Sequence, residues 1–274
     1  MSLYPLDSIN GLAKVRAVLC GGGWTNRSAE AYPFVRQALD MVGGPWQVLI
    51  LPTPTSEPCD EALLLRRRLK KYGGREMEVN PIGRTQAWPE PDEINAALNW
   101  ANLVVIPGGN FPDYMELIDR ARLLNTLRRK FLSGEAVFMG SSAGTVSWFD
   151  WTQTADIPKR SGGGVAGNYR IAWGIGAIPG FACAHYYERN EHSGLSRTPI
   201  FQAMMRAQPV GTVGFGIDTG AAIVLNDGTF QVATRDRYQG VQRLRVETRD
   251  CRVHLRLTEF RQGHGPVPLN KLYH

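Results

Sequence analysis

An α/β fold is the architecture this sequence predicts: a mostly parallel sheet with helices on both faces, plus a short β-rich C-terminal extension. Three observations carry that expectation. In the first half, short apolar runs alternate with stretches whose apolar residues recur at helical spacing, the pattern of parallel βαβ units with right-handed crossovers. Several of those runs end in glycine-rich loops, where a parallel sheet gathers its ligands. Beyond position 221 the helical spacing ceases, and short strand-like runs follow one another across turn signals.

Taken in order, residues 15–20 are an apolar run closed by Gly21-Gly22-Gly23, as a buried strand entering a loop would be. Apolar positions from 28 to 41 fall on one helical face, and Gln47-Val48-Leu49-Ile50-Leu51 forms a second strand stopped by Pro52. Residues 61–72 read as a helix ended by Gly73-Gly74, since glycine tolerates the left-handed residue that closes a helix. A third strand is expected at 76–79, a helix over 91–100 and a fourth strand at 103–106. One helix is then expected over 114–132, a strand at 136–139 and a further strand ending at 184. The tail supplies strands at 221–225, 229–233, 240–246 and 252–257, with Asn226-Asp227-Gly228 as a turn. No repeat, low-complexity block or linker interrupts the chain. One domain over 1–274 is therefore expected, with a core at about 15–225 and the extension at about 226–274.

Composition excludes several classes. With 43% hydrophobic and 20% charged residues over 274 positions, the chain can bury a core, which rules out a disordered, collagen-like or disulfide-stapled protein. Lys and Arg number 31 against 25 Asp and Glu, and the resulting net charge of +6 favours acidic substrates. Nucleic acid is not an expected partner. The basic runs at 66–71 and 128–130 lie on expected helices without interleaved aromatics and read as solvated faces. Cys20, Cys59, Cys183 and Cys251 are scattered, which fits reduced thiols and a cytoplasmic location. No apolar run approaches the ~18 residues of a membrane span. No His, Cys, Asp and Glu cluster has metal-ligand spacing, and Asn26 stands where a dinucleotide fingerprint needs its third glycine. Neither metal nor cofactor is expected, and the oligomeric state is left open.

The chemistry concentrates in three places. Gly140-Ser141-Ser142-Ala143-Gly144 directly follows the strand at 136–139. A G-x-S-x-G sequence at a strand-to-helix turn is a nucleophile elbow, whose glycines allow the tight bend that exposes the central hydroxyl. There the N–H of Ala143 and the helix dipole face a developing oxyanion. Pro107-Gly108-Gly109-Asn110 follows the strand at 103–106, and the N–H of Gly109 could lie beside that of Ala143 as a second donor. A serine hydroxyl needs a base, and histidine is the usual one. Among His185, His192, His254, His264 and His274, only His185 sits at an expected strand end, ahead of Tyr186-Tyr187-Glu188-Arg189-Asn190.

In order and spacing, these motifs, with Gly-Phe-Gly-Ile-Asp at 214–218, resemble the peptidase E (aspartyl dipeptidase) and cyanophycinase family of serine peptidases over about 15–225. The resemblance implies a fold like that of the class I glutamine amidotransferases, flavodoxin-like, with serine at the elbow. It also implies Ser142 as nucleophile, His185 as general base, and Gly109 and Ala143 as oxyanion donors. Asp156 matches an acid that follows the elbow in peptidase E, and Asp218 is the alternative third member of the relay. Asn110, Arg189 and Arg197 are the implied substrate-binding residues, arginine being suited to hold a carboxylate with two parallel bonds. The implied activity is hydrolysis of short peptides with an N-terminal aspartate. A cyanophycinase-like or β-aspartyl exopeptidase, or an inactive binding member, are the alternatives. Three departures bear on this: Thr219 stands where the family places a glutamate, Cys183 and Ala184 precede the histidine, and Glu191 and Gly194 replace two arginines of the cyanophycinase pattern.

Overall fold

Fully buried runs of Val, Leu and Ile form the central strands, and the helices between them set those strands parallel. The computed structural model describes residues 9–23, 32–51, 67, 69, 77–81, 90–155, 169–189, 194–263 and 265–274. Its first half contains β1 (Arg16–Cys20), α1 (Tyr32–Val42), β2 (Trp46–Ile50), β3 (Met77–Pro81), α2 (Pro91–Trp100), β4 (Leu103–Ile106), α3 (Phe111–Arg120), α4 (Leu124–Ser133) and β5 (Val137–Ser141). A short α5 (Ala143–Val146), β6 (Phe149–Ala155), β7 (Tyr169–Trp173), β8 (Ile178–Ala184) and α6 (Arg197–Arg206) follow. The chain continues through β9 (Val213–Ile217), β10 (Ala221–Asn226), β11 (Thr229–Thr234), β12 (Val241–Arg249), β13 (Arg252–Phe260), β14 (Val267–Pro268) and α7 (Asn270–Tyr273).

The strands divide between two sheets. The larger has the order β14-β11-β10-β1-β5-β4-β2-β3, parallel from β1 to β3 and antiparallel across β10, β11 and β14. The smaller has the order β13-β12-β9-β8-β6-β7, in which β8 is parallel to both β6 and β9 and the other pairs are antiparallel. Successive side chains of a strand point to opposite faces. Val18 and Cys20 therefore pack with Phe34 and Ala38 of α1, while Ala17 and Leu19 enter the main core. That core joins α2, α3 and α4 to the inner residues of the second sheet, among them Phe149, Ile178 and Phe215. The outer face of the second sheet is closed by Phe201 and Met205 of α6.

Several expectations change in detail. The β-rich tail divides between the two sheets: β10 and β11 widen the first, and β12 and β13 widen the second. Strands β6, β7 and β9 and helix α6 have no counterpart in the sequence reading. The single helix expected over 114–132 is two. Arg122 takes φ 53°, and the N–H of Leu123 reaches back to the Ile118 carbonyl at 2.9 Å, which turns Leu123 into the core. Of the helix expected over 61–72, only 67 and 69 lie among the described residues, and both are helical. No helix among the described residues is long and apolar enough to cross a membrane.

Candidate active site

Parallel pairing brings the functional loops to one end of the sheets. Cys20 is in register with Ser141, so the glycines after β1 lie beside the turn after β5. Ala184 is in register with Ile217, so the residues after β8 and β9 also emerge together. Backbone bonds tie the loops together at this end, among them one from the His185 N–H to the Gly21 carbonyl and one from the Gly220 N–H to the Gly22 carbonyl, both at 3.1 Å.

The turn from β5 into α5 is so tight that Ser142 adopts φ 49° and ψ −115°. Such a conformation costs a non-glycine residue on the order of 1–3 kcal/mol and persists only where its surroundings hold it. Here the Cys20 carbonyl holds it, accepting from the Ser142 N–H at 3.0 Å and from Thr145 Oγ1 at 2.7 Å. Close backbone packing does the rest: a Cβ on Gly144 would lie 2.1 Å from the Ile106 carbonyl oxygen, so only glycine lets α5 rest on the end of β4.

His185 Nε2 lies 2.8 Å from Ser142 Oγ. The other ring nitrogen, Nδ1, faces Thr219 Oγ1 at 2.6 Å and Glu188 Oε2 at 3.2 Å. An ionised carboxylate can only accept, so these contacts select the tautomer protonated on Nδ1 and leave Nε2 free to accept the serine proton. Glu188 returns under the ring through a short turn in which its N–H donates to the His185 carbonyl at 2.9 Å. Hydrogen bonding to His185 pulls the Glu188 carboxyl down to about 2 against the effect of burial, with help from the Thr219 hydroxyl and the charges of His185 and Arg197.

Two carboxylates were expected as the third member. Asp156 is outside the described residues. The expectation of Asp218 is corrected: its Oδ2 accepts from the Gly240 N–H at 2.9 Å, and Glu188 occupies the place beside the imidazole. The reason is local. Asp218 follows the last residue of β9 and Thr219 stands in the turn to β10, closed by the Ala221 N–H on the Asp218 carbonyl at 3.0 Å, and that turn sets the threonine toward the ring. Burial pushes the Asp218 carboxyl up to about 6.

Of the remaining candidates, the loop carrying Gly109 runs beside the nucleophile. A Cβ on its neighbour Gly108 would lie 3.2 Å from Ser142 Cβ, and Gly109 itself has φ 151°. Ala143 is the first residue of α5, so its N–H points out of the helix end. Asn110 stands just before α3, with its Oδ1 buried and unpaired among the described residues. Arg189 is committed to the Gly194 carbonyl at 3.1 Å. Arg197 opens α6 with its N–H on the Glu188 carbonyl at 3.1 Å, and its buried Nε has no partner among the described residues. Burial raises both Cys20 and Cys183 thiols, the latter to about 12, so neither is a thiolate nucleophile. Among the described residues no three His, Cys, Asp or Glu side chains gather as metal ligands do.

Sequence reasoning missed Glu188, Gly22 and the role of Thr219. The signal for the first was its position three residues after the histidine, and for the second the unexplained Gly21-Gly22-Gly23. A Cβ on Gly22 would fall 2.1 Å from His185 Cε1, so this glycine is the floor on which the imidazole rests.

An α/β protein with a serine on a strand-to-helix elbow and an imidazole within hydrogen-bond reach of it is of the serine hydrolase class. The sequence profile of Peptidase family S51 matches residues 17–233. The chain belongs to that family and is a serine peptidase. Its fold is similar to that of a peptidase from an acI-B1 Actinobacterium, at 14% identity and a TM-score of 0.62, covering 93% of this chain and 96% of that one. It is also similar to a Listeria monocytogenes EGD-e protein assigned as peptidase E, at 15% identity and a TM-score of 0.55, covering 80% of this chain and 98% of that one. Comparison with curated proteins finds no match.

Proposed function

We propose that this peptidase hydrolyses short peptides with an N-terminal aspartate, with Ser142 as nucleophile and His185 as general base. The observation that carries the mechanism is the 2.8 Å contact between Ser142 Oγ and His185 Nε2. Ser142 attacks the scissile carbonyl as its proton passes to Nε2. The tetrahedral oxygen is received by the N–H groups of Gly109 and Ala143. The proton then goes from Nε2 to the leaving amine, the acyl-serine forms, and water releases it by the same route in reverse. Support for an acidic substrate comes from the half-buried Arg197, whose Nε is unengaged among the described residues, and from the net charge of +6. Asn110, with a buried acceptor next to the Gly109 loop, is suited to the substrate amino group. Arg189, spent on the Gly194 carbonyl, contributes to the shape of the rim.

Assaying Asp-X, Ala-X and β-linked Asp-Arg dipeptides tests this reading. Asp-X should be cleaved fastest, and Ser142→Ala and His185→Ala should each lower kcat by roughly 10³-fold or more, with the double variant little worse than either. Full activity in Ser142→Ala would refute the nucleophile assignment. A preference for the β-linked substrate would refute the stated specificity and leave the nucleophile in place.

A further inference from the structure

We propose that Glu188, acting on His185 both directly and through the hydroxyl of Thr219, is the positioning acid of this site. The inference rests on the reading of Ser142 and His185 as nucleophile and base, and concerns what holds and charges that base.

The polar atoms form one directed chain. Ser142 O–H donates to Nε2 across 2.8 Å, Nδ1–H donates to Thr219 Oγ1 at 2.6 Å, and Glu188 Oε2 lies 3.2 Å from the same nitrogen as its ion-pair partner. Thr219 Oγ1 and Glu188 Oε2 thus share the one ring nitrogen, and the hydroxyl helps hold the carboxyl ionised. With Glu188 ionised and Nδ1 protonated, the ring proton faces two acceptors and Nε2 is left to accept from the serine, which is the state a general base requires. Thr219 cannot do this alone, because a hydroxyl carries no charge with which to stabilise the imidazolium. Glu188 has the charge, but its side chain is 51% exposed, so water competes for it. The Thr219 hydroxyl is less exposed than the carboxylate and faces the same ring nitrogen.

The supports of this arrangement are built in. The Glu188 backbone is fixed at both ends, by its N–H on the His185 carbonyl at 2.9 Å and by its carbonyl accepting from Arg197 N–H at 3.1 Å. The adjacent bridge between Arg189 and Ser196 closes the same loop. Thr219 is seated against Gly23, where a Cβ would fall 2.9 Å from its methyl group. During reaction the proton of Ser142 moves to Nε2, the Nδ1 proton stays with the ring, and Glu188 remains a carboxylate throughout.

The test is the rate at which a fluorophosphonate labels Ser142, which needs an activated serine and no knowledge of the peptide substrate. It is run on the full chain with Glu188→Gln, Thr219→Val and Thr219→Ser, alongside thermal unfolding and the proton resonance of His185 Nδ1–H. Glu188→Gln should label on the order of 10²–10⁴-fold more slowly while still unfolding in a single cooperative transition. Thr219→Val should also slow labelling, Thr219→Ser should restore it, and both slow variants should move the Nδ1–H resonance upfield. If the unsubstituted protein fails to label, the serine and histidine assignment falls and this inference falls with it. If it labels and Glu188→Gln matches its rate and Nδ1–H resonance, only the role of Glu188 is overturned. Should Glu188→Gln not fold, wild-type labelling in Thr219→Val overturns the role of the hydroxyl.

Discussion

At the scale of single residues, the site is made as much by missing side chains as by present ones. Gly22 has φ 140°, and its absent Cβ leaves the space that His185 Cε1 fills. Gly22→Ala puts a methyl 2.1 Å from that atom, in a backbone conformation that L residues rarely adopt. The ring must shift by about an ångström, a displacement that typically costs about 10²-fold in rate. A kcat lower by about that factor with KM little changed is expected in a dipeptide assay, with a stability loss of roughly 1–3 kcal/mol in denaturant unfolding. Ser142 and His185 were legible in the sequence because their chemistry leaves local marks, an elbow pentapeptide and a histidine at a strand end. Glu188 was not. Nothing in Tyr-Tyr-Glu-Arg distinguishes a carboxylate folded under its own histidine from one in water until the turn at 185–188 is seen.

At the scale of elements, strand ends decide which side chains meet. The β9–β10 turn presents Thr219 to the imidazole and buries Asp218 against the Gly240 N–H. Burial raises the Asp218 carboxyl to about 6, Glu259 and Glu188 push the same way, and the Gly240 N–H and the Arg261 charge pull it back. In the unfolded chain this group releases its proton near ~4. Between about pH 4 and 6 the folded state therefore binds more protons than the unfolded one, and stability falls as pH rises through that window. Glu188 has the opposite sign: its depressed carboxyl favours folding above ~4.5 and loses that contribution as pH falls toward about 2. Asp218→Asn keeps an acceptor for Gly240 and removes the titration. Its unfolding free energy, measured in urea from pH 4 to 6.5, should lack the decline seen in the unsubstituted protein. Helical stretches with clear spacing, such as α2, were read to the residue. The break between α3 and α4 escaped because no Gly or Pro marks it; it is set by Leu123 seeking the core.

At the scale of the molecule, the two sheets share one core, and α7 closes it. Tyr273 is fully buried, stacks edge-on against Phe215 of β9 with ring centroids 5.7 Å apart, and donates its hydroxyl to the Pro179 carbonyl in β8 at 3.1 Å. Tyr273→Ala should cost about 3–5 kcal/mol of stability, and Tyr273→Phe only about 1, as read from urea midpoints at constant slope. Local pattern determined much of this protein: most strands and helices of the first half and the strands of the tail, that the fold is α/β, and where the serine elbow and its histidine lie. Those features follow from residues within a few positions of one another, whose periodicity and turn chemistry act on the local backbone. Tertiary structure alone decided that the tail strands divide between two sheets, that Glu188 and Thr219 face Nδ1 while Asp218 turns away, and that Gly22 forms the floor under the imidazole. Each of those outcomes depends on which strands become neighbours and in what register. That choice is made by the burial of whole faces, and no short stretch of sequence encodes it.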